Sequence, residues 1–230
     1  CNNPEFNINV RNYLKNIRYT LDKKLSFLEK PKDQILNMIT HNLKNNNAKF
    51  NAIGLHGVRG LGKTTLIQSI SEAIDRPFRM ISLGGESDVS TLTGHHFTYI
   101  GSMAGRIIEI LKETQCMNPI LFFDELDKIS KTENGYEISS VLTHITDPVQ
   151  NEHFCDRYFT EVPIDLSKAI IVFSYNDPSK IDRILLDRIK EINVQAIPIR
   201  EKVIIAKDFI IPEICKNIGY SKDDISLTDE

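Results

Sequence analysis

"GVRGLGKT", Gly57 to Thr64, decides the fold. It matches G-x-x-x-x-G-K-[ST] in full. The short apolar run "AIGLH" (52–56) precedes it, and "TTLIQSISEAI" follows with Leu66, Ile67, Ile70 and Ile74 on one helical stripe. A strand, this loop and a helix in that order form the setting in which such a loop wraps phosphate. Glycines let backbone N–H groups turn inward around an anion, and the helix N-terminus adds positive potential. Gly57, Val58, Arg59, Gly60, Leu61, Gly62, Lys63, Thr64 and Thr65 are therefore the candidate nucleotide-binding set. Lys63 is expected to reach the β- and γ-phosphates of ATP, and the Thr64 hydroxyl to bind Mg²⁺.

Working outward, apolar runs recur at "RMISL" (79–83), "ILFF" (120–123), "AIIVFSY" (169–175) and "INVQAI" (192–197). Most are continuously apolar, as strands covered on both faces are. Helical periods separate them, in "GRIIEILKET" and in "YEISSVLTHIT" through Ile138, Val141, Leu142 and Ile145. Strands alternating with helices predict an α/β fold with a parallel five-stranded sheet flanked by helices. Before it, residues 1–50 read as a helical segment and linker, with Ile35, Leu36, Ile39 and Leu43 on one face and a polar "KNNN" run. The ATPase core is expected over 51–198. Residues 199–230 read as the start of a small helical lid, with Pro212 as a kink or break in "REKVIIAKDFIIPEICKNI" and a polar tail after it.

"ILFFDE" ends a buried-type strand in two carboxylates. An acid there would sit at the carboxyl edge of the sheet, beside the phosphate loop. Asp124 is the expected organiser of Mg²⁺, and Glu125 the base or orienting group for the attacking water. "IIVFSYN" ends another such strand at Asn176, whose amide suits the γ-phosphate or the lytic water. "RILLDR" carries Arg183 and Arg188; an arginine from a neighbouring subunit stabilises charge in phosphoryl transfer.

The bulk numbers exclude several classes. A net charge of −3 gives no overall basic footprint for nucleic acid. No apolar run approaches the roughly 20 residues a membrane span needs. The four cysteines form no CxxC pair and read as reduced thiols, which suits the cytoplasm or another reducing soluble compartment. A chain that starts with Cys and ends in a polar tail reads as a piece of something longer.

One stretch resists this reading. "GHHFTYIGSMAG", Gly94 to Gly105, sets Phe97, Tyr99, Ile100 and Met103 between glycines, with neither helical nor strand period. Taken from the residues alone, Phe97 and Tyr99 fit ordinary core on the flank of the sheet. Adjacent His95 and His96 have no second cluster at metal-ligand spacing and read as surface imidazoles.

"LGKT", "GHHFTYIGSMAGRII", "NPILFFDELDKIS", "DPVQN", "VPIDLSK" and "LLDR", in this order and spacing, closely resemble the ATPase module of Lon proteases, a branch of the AAA+ family. The resemblance runs from about Leu21 to about Ile214. It implies a sensor role for Asn176 and an arginine finger, acting on a neighbouring subunit, at Arg188. It makes "TYIG" the first pore loop of a homo-oligomeric, hexameric ring, with Tyr99 and Ile100 gripping an extended polypeptide. Gly94, Gly101 and Gly105 are then expected to permit loop movement.

The sequence departs from that pattern at several points. Arg59 and Leu61 replace the family's usual residues in the phosphate loop, and His95 and His96 stand in place of arginines. The usual His-Tyr-Gly is missing from "LDKKLSFLEK", and the usual Gly-Asp-Pro from "SKTENGYEIS". Neither a sensor-2 arginine nor a Ser–Lys proteolytic domain lies within the 230 residues.

The resemblance implies an ATP-driven motor that unfolds and translocates protein substrates, as part of a Lon-like ATP-dependent serine protease. A stand-alone protein remodeller without protease is the alternative. A nucleic-acid-remodelling relative is a third reading, disfavoured because a channel tracking phosphates wants Lys and Arg on its loops.

Overall fold

A computed structural model describes residues 4–25, 27–44, 52–85, 88–160, 162–196 and 198–219. Helices α1 (Pro4–Lys24) and α2 (Glu29–Lys44) precede strand β1 (Ala52–His56) and helix α3 (Lys63–Ala73). Next come β2 (Phe78–Ser82), the short α4 (Ser90–Thr93), α5 (Arg106–Thr114), β3 (Ile120–Asp124) and α6 (Glu133–Thr146). A small antiparallel hairpin, β4 (Phe154–Cys155) and β5 (Pro163–Ile164), leads to β6 (Ile170–Tyr175), α7 (Arg183–Leu186) and β7 (Ile189–Asn193). Helix α8 (Ile199–Ile205), a wide π-turn at Ala206–Ile210 and α9 (Ile211–Ile218) complete the described residues.

The five long strands form one parallel sheet in the order β2-β3-β6-β1-β7. Parallel neighbours need crossovers, so helices cover both faces and the central strands are buried twice over. Alternate residues of one strand therefore enter different cores. Leu121 and Phe123 of β3 join Phe173 and Tyr175 of β6, with Ile107 and Ile110 of α5 and Ile138 and Leu142 of α6. On the opposite face Ile120, Phe122 and Val172 meet Ile53 and Leu55 of β1 and the Leu66–Ile67–Ile70 stripe of α3. The N-terminal helices belong to this second core, through Ile17, Leu21, Ile35, Leu36 and Ile39. The Leu43 side chain, the rest of the "KNNN" run and the polar tail from residue 220 lie outside the described residues.

Two expectations shift. The fifth strand is Ile189–Asn193, not 192–197. It is an edge strand whose Ile189 and Ile192 are buried while Lys190 and Glu191 are exposed, so no continuous apolar run marks it. β2 is the other edge, with Met80 exposed. The break attributed to Pro212 lies just before it, in the π-turn. Proline has no N–H for the turn below, and widening the helix there relieves its ring.

Gly54 sets the spacing of the centre. A β-carbon on it would lie 2.5 Å from the Ile189 Cγ2 and 2.8 Å from the Tyr175 hydroxyl. Tyr175 is fully buried, donates to Glu191 Oε2 at 3.0 Å and stacks on His56. Gly54→Ala should therefore cost about 1–3 kcal/mol, the range for overpacking a filled core. Urea unfolding measures this; an unchanged midpoint would show that β1 and β7 part without cost.

Candidate nucleotide site

Three adjacent parallel strands, β1, β3 and β6, deliver their carboxyl ends to one cleft of about 510 Å³. Binding sites in open α/β sheets form at this edge because side chains beyond the last ladder bonds are free to face outward. β1 contributes the loop after His56. Gly60 and Gly62 adopt left-handed backbone (φ +78 and +74) with nothing near their missing β-carbons. No side chain caps α3 at Gly62, so its first-turn N–H groups face the cleft with the positive end of the helix behind them.

Lys63 crosses the gap between strands. Its ammonium donates to the Gly57 carbonyl and, at 2.8 Å, to Asn176 Oδ1. Burial pulls this ammonium below the usual lysine range, while the charges of Asp124 and Asp127 push the other way. Asp124, at the end of β3, accepts the Ser174 hydroxyl on Oδ1 and the Glu125 N–H at 3.0 Å on the same oxygen. Thr64, Thr65, Asp124, Glu125 and Asn176 all line the cleft.

Glu125 adopts left-handed backbone (φ +59), an uncommon state for a side chain this long and one that recurs at functional sites. Its Oε1 accepts Arg59 at 2.9 Å, and its Oε2 fills the space where a side chain on Gly84 would stand. The two departures in the phosphate loop thus have separate tasks. Arg59 pairs with Glu125, whereas Leu61 is buried in the core under β1. Arg59 is largely exposed, and such pairs contribute about 0–1 kcal/mol, so exchanging this contact for another costs little.

The remaining expected residues lie elsewhere. Arg188 donates to Asp147 Oδ2 at 2.6 Å and to the Thr143 carbonyl at 3.2 Å, away from the cleft of its own chain. Arg183 is exposed and borders a separate cavity of about 270 Å³. Phe97, Tyr99, Ile100 and Met103 are all exposed, Ile100 completely, which overturns the core reading of Phe97 and Tyr99. His95 and His96 are exposed too, and the described residues contain no metal-ligand cluster. In "LDKKLSFLEK", Phe27 and Leu28 border a cavity of about 460 Å³ shared with Asn193 and Pro198.

Sequence reasoning missed Ser174 and Gly84. Ser174 is the only polar residue inside β6, two before Asn176, and period-two alternation puts both on one side; that signal was present. Gly84 follows a strand in a Gly-Gly pair, which marks a turn but says nothing of Glu125.

Residues 53–196 match the family described as "ATPase family associated with various cellular activities (AAA)". The chain belongs to the AAA family. It is 40% identical over 221 residues to a Lon protease homolog of Acanthamoeba polyphaga mimivirus, covering 96% of this chain and 22% of that protein. It is 40% identical over 209 residues to Lon protease of Cytophaga hutchinsonii, covering 91% and 26%. With the mitochondrial Lon protease homolog of Eremothecium gossypii it shares 38% over 213 residues, covering 93% and 20%. The chain thus spans about a fifth to a quarter of the length of these relatives. Membership of the AAA family implies that the chain binds nucleotide. Among the described residues, no helix is long and apolar enough to cross a membrane.

Ser174 supplies the test of this geometry. Its hydroxyl holds the Asp124 carboxylate at the end of β3, and a hydrogen bond to a charged group contributes about 1.5–3 kcal/mol. Ser174→Ala is expected to weaken Mg²⁺-dependent ATP binding by about tenfold or more, read by titration calorimetry with and without the metal.

Proposed function

We propose that this chain is the motor of a Lon-like ATP-dependent serine protease, which hydrolyses ATP to unfold protein substrates and draw them through the pore of a hexameric ring. Residues 51–198 are its ATPase core, 1–50 the helical approach to it and 199–230 the start of its lid. The observation that carries the reading is the exposure of Tyr99 and Ile100 on a loop outside the nucleotide cleft. An aromatic and a β-branched side chain held in water have no stabilising role in a single chain. They suit the backbone and mixed side chains of an extended polypeptide.

The cleft residues fit ATP with Mg²⁺. Lys63 and the α3 N-terminus meet the phosphates, and Asn176 and Lys63, already in contact, approach the γ-phosphate together. The Thr64 hydroxyl and the Asp124 carboxylate are hard oxygen donors on the same cleft, as Mg²⁺ requires, and Ser174 and the Glu125 N–H fix the carboxylate's orientation. The metal, when bound, neutralises phosphate charge. Glu125 orients the attacking water once its carboxylate leaves Arg59, a cheap exchange by the estimate above. Arg188 acts on the cleft of the neighbouring subunit, with Asp147 and the Thr143 carbonyl aiming its guanidinium. The compartment is the cytoplasm or another reducing one; Cys116, Cys155 and Cys215 are free thiols.

Two variants of the full-length protein test this. Glu125→Gln should retain ATP binding and lose at least about 100-fold in turnover, the scale of general-base loss; retained turnover would remove Glu125 from the reaction. Tyr99→Ala should lose most of the stimulation of ATP hydrolysis by a loosely folded protein. Peptide release from that protein in the same tube separates the protease from a remodeller.

A further inference from the structure

The loop that carries Tyr99 leaves the domain through a narrow neck, and its glycines do not act there as hinges. A β-carbon on Gly94 (φ +77) would lie 2.8 Å from the Gly105 nitrogen and 2.9 Å from the Met103 carbonyl oxygen; one on Gly105 would overlap the Leu92 carbonyl. The absence of side chains lets two backbone segments touch. The His95 N–H closes the neck by donating to the Met103 carbonyl at 3.0 Å. Only Gly101 (φ +81), at the tip, has open space around it.

Asp156 enters this neck from the turn after β4, and it is fully buried. Its Oδ2 accepts the Gly105 N–H at 2.8 Å and its Oδ1 the Tyr158 N–H at 2.8 Å. The same Oδ1 stands 2.7 Å from where a β-carbon on Gly94 would be. The next residue, Arg157, donates its N–H to the Thr93 carbonyl at 2.7 Å. A carboxylate out of water is costly unless backbone donors meet it, and donors to an ionised acceptor bind more strongly than to a neutral one. The neck therefore gains by staying closed around Asp156.

The hairpin is itself anchored. Past β5, the Leu166 N–H donates to the Asn151 carbonyl at 2.8 Å, and Leu166 is fully buried. The chain then enters β6, buried along its length, and emerges at Asn176 against Lys63. Asp156 at the loop neck and Asn176 at the cleft thus lie on the same stretch of chain, which is held between them at Leu166 and along β6.

We propose that Asp156 is a positioning residue that staples the Tyr99–Ile100 loop to the β4–β5 hairpin, so that the loop moves with the segment ending at Asn176 rather than swinging on its glycines. This rests on the substrate-grip reading of Tyr99.

The test uses the full-length protein with Asp156→Ala, Asp156→Asn and, as control, Tyr99→Ala. Casein serves as the loosely folded probe. In both Asp156 variants the kcat and KM for ATP without casein should stay within about twofold of wild type. Hydrogen exchange across residues 95–105 should quicken by about tenfold to a hundredfold, the range for losing a charged hydrogen bond. Casein stimulation should fall by about tenfold. Asp156→Asn keeps the shape and one acceptor, so it reports on the staple even if Asp156→Ala does not fold. Unchanged exchange, or quickened exchange with stimulation intact, would overturn the proposal while Tyr99→Ala still loses stimulation. Intact stimulation in Tyr99→Ala would instead remove the grip reading beneath it.

Discussion

Strands β1, β3 and β6 are buried on both faces, and that burial leaves polar chemistry one place to go. A side chain inside such a strand meets a core whichever way it points, so Ile53, Phe122 and Phe173 admit no charge. The amino ends are reached from crossovers on both sides. At the carboxyl ends, three neighbouring strands release their chains side by side, and Lys63, Asp124 and Asn176 arrive there together. The site is a consequence of parallel pairing before it is a consequence of any single residue.

What holds the site in shape is a set of contacts running across the strands. Lys63, the first residue of α3, reaches Asn176 after β6; Ser174 of β6 reaches Asp124 of β3. Each is a polar pair with a charged member and limited exposure, where a missing partner costs more than the bond itself contributes. The exposed Arg59–Glu125 pair is of a different kind, since solvent screens it and either partner finds water on release. The arrangement is therefore stiff at Lys63, Asp124 and Asn176 and loose at Glu125, the carboxylate proposed to turn toward water.

Much of this was legible because two periods and one loop are strong signals. The apolar stripe Leu66, Ile67, Ile70 and Ile74 and the continuous "IIVFSY" each allow one packing, and "GVRGLGKT" ties them together. The edge strand Ile189–Asn193 was misplaced because an edge buries only every second or third residue, leaving Lys190 and Glu191 to break the run. Phe97 and Tyr99 misled for the opposite reason. Apolar character predicts burial in a single chain, and these residues are exposed. Ser174 was visible in principle, as a small hydroxyl residue interrupting the apolar run two positions before Asn176.

Asp156 marks the limit of such reading. Nothing near it in "HFCDRYFT" distinguishes a buried carboxylate from a solvated turn, because Gly105 and Gly94, which meet it, lie far away in sequence, Gly105 by 51 residues. Those glycines look like hinges for the same reason: a missing side chain is compatible with freedom and with close contact, and only the neighbours decide. Here the neighbours are backbone on one side and a carboxylate on the other, so the freedom is spent on approach. Under the proposed grip the loop must transmit force, and a neck that swivels would dissipate it. In that proposal, open space at Gly101 on the tip and a neck closed by backbone hydrogen bonds would let Tyr99 and Ile100 adapt to a polypeptide while their base stays tied to the turn after β4.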